Sequence, residues 1–234
     1  KRTDKDLRAE PGKEDLPCRI PEKLYWSGIE IKKKMLETEL MRVLAIFTCY
    51  NRRELTKQSM ELLGQNKNVT FDYVIVNDGS TDGTDEMLAA MPYEIDLING
   101  DGGLFWNRGM YEAIEHAKKV HPDYEYYMLM NDDTKFVPGI FDEMLPLFAP
   151  DKVMVGAMCG DDGRMSYGGI KYVKGIKYKK YGPEAQNICF DTFNANCAVI
   201  PHDIFMKVSI DPFYQHSIGD FDYGLRTCHQ PDGI

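Results

Sequence analysis

Four short apolar segments, each followed by a stretch with helical spacing, constrain the fold more than any other feature of this sequence. The apolar segments are residues 43–47, 73–76, 95–98 and 126–130. Except for Asp96 in the third segment, these runs are unbroken, which is typical of strands buried on both faces. Between them, as in residues 108–119, apolar residues recur at i, i+3, i+4 and i+7, which indicates amphipathic helices. The alternation predicts an α/β fold: a Rossmann-like, mostly parallel central sheet with helices on both faces.

Two local signals predict where helices begin. Asn51 stands three residues before Glu54, an Asn-led version of the capping box, and predicts a helix that continues through Leu63. Pro138 is typical of a first helical turn and predicts a helix after the fourth strand.

The chain divides into three parts. Residues 1–41 are charged, with Pro and Gly near their start, and predict an extended or partly helical leader with a short helix over residues 30–40. Residues 42–150 carry the alternating pattern and form the main α/β half. Residues 151–234 contain short apolar stretches and Gly-rich turns, which predict a smaller second subdomain.

Composition narrows the choice of partners. The 234 residues carry a formal net charge of -9, which argues against nucleic acid. No apolar run approaches the ~20 residues that a membrane-spanning helix needs. The sequence therefore predicts a cytoplasmic protein, with peripheral contact to the inner face of a membrane left open. The five histidines show no spacing of the H-E-x-x-H kind, so the sequence argues against zinc.

Polar residues follow each of the four predicted strands. These segments are residues 48–51, 77–84, 100–103 and 131–133. In open α/β sheets, ligands bind beyond the carboxyl ends of the strands. Any one segment is also a common strand-to-helix turn, but four at one edge of a sheet indicate a binding site.

Two adjacent carboxylates, Asp132 and Asp133, follow the fourth strand. Neighbouring carboxylates repel each other unless a cation or a proton intervenes. Oxygen ligands suit Mg²⁺ or Mn²⁺, so this pair is the predicted metal site. The alternative is a helix cap with a solvated acid before Pro138.

The rival folds leave different signatures. A nicotinamide-dependent enzyme requires G-x-G-x-x-G after the first strand, where this chain has Thr48–Arg52. The P-loop pattern G-x-x-x-x-G-K-[ST] is absent from the sequence.

Five motifs in order resemble the family 2 glycosyltransferases with the GT-A fold. Residues 45–52, 76–84 and 131–133 resemble the family as a whole, and residues 100–109 and 218–226 resemble its bacterial, rhamnosyltransferase-like branch. The resemblance covers about residues 42–226. It implies that residues 42–150 bind a nucleotide sugar and that residues 151–234 form the acceptor side, with relatives usually continuing beyond this point.

The resemblance implies an inverting glycosyltransferase. Such an enzyme moves a sugar from a nucleoside-diphosphate sugar, here a UDP- or dTDP-sugar, to a hydroxyl of a glycan or lipid-linked glycan acceptor. The implied setting is bacterial polysaccharide or surface-glycan synthesis. The alternative is a catalytically silent relative that binds a nucleotide or a glycan.

Residue roles follow from the same resemblance. Thr48 and Tyr50 are implied to line the base pocket, Asp78 to bond the base, and Arg108 to contact the base or diphosphate. The complete implied substrate-binding set is Thr48, Tyr50, Asn51, Asp78, Gly102, Asn107, Arg108 and Asp132. Asp133 is the implied metal ligand, with Asp132 the less certain second one.

The implied catalytic base is Asp220, with Asp222 as a second candidate. Two positions depart from the family pattern: Asn131 stands where the family has Asp, and Gly219 stands where it usually has Glu. These departures are what keep the silent alternative open.

Overall fold

The computed structural model describes residues 40–160, 162–174, 177–182, 188–215 and 218–228. The predicted leader, with its short helix, lies outside the described residues except for its last two. Of these, Met41 already begins the first strand.

Eleven strands form three sheets among the described residues. In chain order they are β1 (Met41–Cys49), β2 (Val69–Asn77), β3 (Ile95–Asn99), β4 (Tyr126–Met130), β5 (Met154–Val155), β6 (Met158–Cys159), β7 (Met165–Tyr167), β8 (Gly169–Lys174), β9 (Lys177–Tyr181), β10 (Thr192–Phe193) and β11 (Cys197–Pro201). The central sheet has the order β3-β2-β1-β4-β11-β5. Strands β1 to β4 are parallel, whereas β11 pairs antiparallel with β4 and β5. The predicted mostly parallel sheet is confirmed.

Six α-helices lie among the described residues. They are α1 (Arg53–Leu63), α2 (Thr84–Ala89), α3 (Phe105–Val120), α4 (Ile140–Met144), α5 (His202–Lys207) and α6 (Gly219–Cys228), and a 3₁₀ turn (Leu145–Leu147) follows α4. None of them combines the length and apolar character that crossing a membrane requires.

The helices cover both faces of the sheet, as predicted. On one face, Met110 and Ile114 of α3 pack against alternate residues of β1 such as Ile46. On the other face, Met60 and Leu63 of α1 pack against the remaining residues of β1. Because successive side chains of a strand point to opposite faces, the unbroken apolar run of β1 supplies both cores.

Two predicted helix starts are wrong in detail. Helix α1 has no side-chain cap from Asn51; its first N–H, on Arg53, donates instead to Asp82 Oδ2 at 2.9 Å. A residue 29 positions away in sequence therefore does the capping. Pro138 does not open its helix either, since α4 begins at Ile140 and has only five residues.

The second half of the chain builds two small sheets, β10-β8-β9 and β6-β7, and also contributes to the central sheet. Its strand β11 lies beside β4, with Cys197 opposite Met130. The residues just before β11 therefore lie next to the carboxyl end of β4. The two predicted halves thus meet in one sheet, at the edge where the sequence places the site.

Candidate active site

The loops after β1 and β2 form one hydrogen-bonded unit. Asn51 accepts the N–H of Thr81 on its side-chain oxygen (2.8 Å), and its own N–H donates to Ser80 Oγ (2.9 Å). Beside this unit, Tyr50 is exposed and Thr48 is buried. Of the predicted substrate-binding residues here, Tyr50 is therefore accessible, while Asn51 already holds two loops together.

Asp78 fastens the start of α3 to the end of β2. Its side chain is buried, at 3% exposure. Oδ1 accepts the N–H of Gly102 (2.9 Å), and Oδ2 accepts those of Leu104 and Phe105 (both 3.0 Å). The N–H groups of Leu104 and Phe105 belong to the helix start, which leaves them without an intrahelical acceptor. Both carboxylate oxygens are thus occupied by the chain itself, and the implied bond to a nucleotide base stays a prediction.

The side chains that follow on α3 point to different places. Asn107 is fully buried, and its Nδ2 donates to the carbonyls of Asp211 and Tyr214 (both 2.8 Å). Asn107 thus holds a loop of the second half, and its implied place near the donor stays a prediction. Arg108 is exposed and forms no ion pair with any described residue, so its guanidinium is available to an anionic ligand.

Asp132 and Asp133 share one guanidinium. Arg52 Nη1 lies 2.7 Å from Asp133 Oδ2 and 3.4 Å from Asp132 Oδ1. Asp132 is only 6% exposed, and this burial raises its pKa to about 6, with Arg52 opposing and Asp133 adding to the shift. Asp133 is much more open to solvent. The sequence reasoning gave Arg52 no role, although its place directly after β1 puts it at the same sheet edge.

Asp220, near the start of α6, is anchored beside the same edge. Its Oδ2 accepts Asn194 Nδ2 (3.1 Å) and the N–H of Ala195 (3.4 Å), two residues that lie just before β11. Asp222 instead pairs with Arg226 within α6, at 2.6 and 2.8 Å. Of the two candidate bases, Asp220 is thus held near the carboxyl end of β4, whereas Asp222 forms an ion pair within its own helix.

Three described residues other than glycine have left-handed backbone around this edge. Among the described non-glycine residues with positive φ are Asn51 (50°), Phe105 (54°) and Ile218 (78°). A β-branched residue such as Ile218 rarely adopts such an angle. Strained backbone of this kind concentrates at functional sites, where surrounding contacts hold it in place.

The sequence model of one family, glycosyl transferase family 2, matches residues 45–206. This chain belongs to glycosyl transferase family 2. The match spans β1 through most of α5 and therefore includes Asp78, Asp132 and Asp133. No curated protein matches the chain in a direct sequence comparison.

Solved glycosyltransferases share the fold. A mannosyltransferase from Pyrobaculum calidifontis, in complex with GDP-Man and Mn²⁺, superposes with a TM-score of 0.55 at 15% identity, covering 82% of this chain and 52% of that one. S. aureus TarS in complex with UDP gives 0.57 at 16% identity, with 80% and 55% covered. The chain therefore spans about half the length of these structures. At this identity the likeness establishes a GT-A fold.

Both departures from the family 2 pattern have a defined contact in the structure. Asn131 Oδ1 accepts the indole N–H of Trp106 at 3.0 Å, which links the end of β4 to the start of α3. Gly219 packs so closely on Asn107 that a Cβ there would overlap the Asn107 amide. Each departure is thus matched by a residue of the motif at positions 100–109.

The donor set at Asp132 and Asp133 fits a hard divalent cation. Both ligands are carboxylates, and the buried one lacks full compensation, since Arg52 does not bring its pKa back to the ordinary range. Oxygen-only ligands and uncompensated negative charge are what Mg²⁺ and Mn²⁺ select.

Proposed function

We propose that this chain is an inverting glycosyltransferase that uses a nucleoside-diphosphate sugar. The observation that carries the proposal is that Asp132 and Asp133 directly follow β4, while Asp220 is anchored on the residues just before β11, the strand beside β4. Membership in family 2 supports it. The described chain spans only part of its solved relatives, so the activity, substrates and partners of the whole protein all belong to the proposal.

The proposed donor is a UDP- or dTDP-sugar. Exposed Tyr50 offers a ring for the base, and the guanidinium of Arg108, which forms no ion pair among the described residues, offers charge for the diphosphate. Solved structures with the same fold contain UDP-GlcNAc in one case and GDP-Man in another, which supports the donor class and leaves the base to experiment.

Asp133 and Asp132 are the proposed ligands of Mg²⁺ or Mn²⁺. When bound, the cation stabilises the negative charge that develops on the departing nucleoside diphosphate. Arg52 holds the two carboxylates side by side and leaves the more exposed Asp133 facing solvent.

Asp220 is the proposed general base. It takes the proton of the acceptor hydroxyl while that oxygen attacks the anomeric carbon and the bond to the diphosphate breaks. Asn194 and the N–H of Ala195 hold the carboxylate in position. A single base with in-line displacement inverts the anomeric configuration.

The proposed acceptor is a glycan or lipid-linked glycan in bacterial polysaccharide synthesis, on the cytoplasmic side of a membrane. The hairpin β8–β9 supports an anionic or lipid-linked acceptor, because it exposes Tyr172, Val173 and Tyr178 next to Lys177 and Lys179. Apolar and basic side chains together favour peripheral contact with anionic headgroups. The rhamnosyltransferase-like branch is part of this proposal.

Nucleotide binding tests the donor site. UDP, dTDP and GDP are titrated calorimetrically with and without Mn²⁺ against wild type, Asp133→Asn and the control Asp203→Asn, whose side chain is exposed on α5. We expect one nucleotide to bind tightly only with Mn²⁺, and to lose at least about tenfold in affinity in Asp133→Asn alone. Equal binding by both variants contradicts the metal role.

Turnover tests the base. Asp220→Asn is expected to reduce kcat by about 10³-fold with donor affinity unchanged, because the carboxylate acts on the acceptor proton. Asp222→Asn is the matched control and should change kcat by less than about tenfold, since its carboxylate pairs with Arg226. A larger loss of kcat in Asp222→Asn would identify Asp222 as the general base instead of Asp220.

One observation favours the second candidate, a catalytically silent nucleotide binder. The guanidinium of Arg52 already lies against both carboxylates. Nucleotide binding that needs no metal, together with no turnover by the wild type, would select this candidate.

A further inference from the structure

One carboxylate and two imidazoles meet on α3 and β3, away from the candidate active site. Asp96 lies in β3, the edge strand of the central sheet, His116 lies near the end of α3, and His121 directly follows that helix. The Nε2 atoms of the two histidines lie 2.7 and 2.8 Å from the same oxygen, Asp96 Oδ2. The three potential ligand atoms all lie within 4.8 Å of one another.

This His–Asp–His cluster is separate from the candidate active site. Helix α3 starts beside Asp78, and His116 lies about three turns, or about 16 Å, further along it. Asp96 lies three residues before the carboxyl end of β3, about 10 Å from the edge where the site is formed. Across the described residues it is the one group of three His, Cys, Asp or Glu side chains with ligand atoms this close together.

The geometry is near that of a three-ligand zinc site. Atoms that each lie about 2.0–2.1 Å from a tetrahedral Zn²⁺ are about 3.3 Å from one another. The two N···O distances of 2.7 and 2.8 Å thus need to widen by only about half an ångström. Side-chain exposures of 28–33% keep all three groups within reach of solvent.

The chemistry of the donors separates the cluster from the carboxylate pair. Imidazole nitrogen suits Zn²⁺, Cu²⁺ and Ni²⁺, whereas carboxylate oxygens alone suit Mg²⁺ and Mn²⁺. Burial opposes ionisation of Asp96, but hydrogen bonds from His116 and His121 outweigh it and lower the pKa of this carboxyl. The anionic ligand is therefore present at neutral pH.

We propose that Asp96, His116 and His121 form a second cation site that takes Zn²⁺ or a similar imidazole-preferring divalent metal. On binding, each Nε2 gives up its proton to its own Nδ1 or to solvent and donates its lone pair to the cation. Three protein ligands leave one coordination position for water. The bound ion links the edge strand β3 to the end of α3. This site does not depend on the proposed transferase activity.

The sequence argued against zinc because the histidines show no spacing of the H-E-x-x-H kind. His116 and His121 are five residues apart, and the helix ends between them at Val120. The change of direction after the helix brings the second imidazole to the first, which a helical spacing rule does not detect.

Cobalt titration of the whole, EDTA-treated chain tests the site. We expect wild type to bind one equivalent of Co²⁺ with the visible d–d bands of a tetrahedral nitrogen–oxygen site. His116→Gln and His121→Gln should each weaken Co²⁺ binding by more than about tenfold, because loss of even an outer-shell partner costs that much. His202→Gln, which removes a half-exposed histidine outside the cluster, should retain the wild-type affinity.

Three results of the cobalt titration would overturn the site. They are unchanged Co²⁺ affinity in both His116→Gln and His121→Gln, a thiolate charge-transfer band that assigns the ion to cysteine, or loss of binding in Asp133→Asn. Circular dichroism checks that each variant is folded, and Asp96→Asn serves as a milder variant. Zn²⁺ should also raise the Tm of wild type and leave that of His121→Gln unchanged; an equal rise in both would identify the cluster as hydrogen bonds at a helix end.

Discussion

Helix α3 begins and ends beside an aspartate, and the two aspartates are held in different ways. At the start of the helix, Asp78 is buried and accepts three backbone N–H groups. At the end, Asp96 is partly exposed and bonds two side chains, His116 and His121. One carboxylate is held by the chain itself, and the other by groups that can change protonation and rotate.

The different hydrogen-bond partners of Asp78 and Asp96 determine what each end of α3 can do. Backbone donors cannot leave Asp78 unless the loop at residues 102–105 moves, so this carboxylate positions the start of α3 and cannot readily change partners. Imidazoles exchange a proton for a metal ion without moving the backbone. The start of α3 therefore serves as a fixed part of the site, and its end can respond to the ions in solution.

The largest expected effect comes from replacing each aspartate by asparagine. In Asp78→Asn the new amide N–H₂ faces backbone N–H groups, which leaves buried donors unpaired, and we expect a loss of about 3 kcal/mol in the free energy of unfolding. Asp96→Asn, at a site partly open to water, should lose less than about 1 kcal/mol. Urea unfolding of both variants measures the difference. Equal losses of unfolding free energy in the two variants would contradict the expected difference between Asp78 and Asp96.

The carboxyl groups of Asp132 and Asp96 should give the pH dependence of stability opposite signs. Asp132, at the edge that Asp78 organises, has a pKa raised to about 6 by burial, so its contribution is present below pH 4 and lost as pH rises through 6. Asp96 has a lowered pKa, so its contribution is present above the ordinary value and lost as pH falls through the folded one.

For the metal-free protein we expect the Asp132 carboxyl to cost about 2 kcal/mol of stability between pH 4 and pH 7. Urea unfolding in EDTA at several pH values measures it. Asp132→Asn should remove this loss, and Asp96→Asn should leave it in place. If the unfolding free energy of Asp132→Asn depends on pH as that of wild type does, the loss does not come from Asp132.

The smallest expected effect concerns the hydrogen bond between Trp106, at the start of α3, and Asn131, at the end of β4. Trp106→Phe removes the hydrogen bond to Asn131 while keeping most of the ring, and should cost about 1 kcal/mol. A double-mutant cycle with Asn131→Ala isolates the pair, and we expect a coupling energy of similar size. Additive losses would show that the bond does not link β4 to α3.

The sequence predicted the parts of the fold that depend on local pattern. Strand β4 was predicted with the bounds that the structure has, because an apolar run buried on both faces is readable without knowledge of its neighbours. Helix α3 starts three residues earlier than residue 108, where its apolar periodicity begins. Its first N–H groups are paired by Asp78, a residue far away in sequence, and no local signal could give that start.

Contacts between distant residues account for most of what the sequence did not predict at the site. The polar strand ends were expected at one edge, since parallel strands place their carboxyl ends together. That Arg52 bonds Asp133, 81 residues away, depends on the order of β1 and β4 in the sheet. The cluster of Asp96 and the two histidines likewise requires that the end of α3 lie beside β3, and the spacing of histidines alone gave the opposite expectation.

The close packing of Gly219 on Asn107 restricts which residues this chain tolerates at the two positions. An acidic residue at position 219, as is usual in the family, has no room while the Asn107 amide occupies that space. A smaller residue at 107 makes the room, but it also removes the donors that hold the carbonyls of Asp211 and Tyr214. The two positions are therefore expected to be epistatic, since neither an acidic residue at 219 alone nor a smaller residue at 107 alone keeps these contacts.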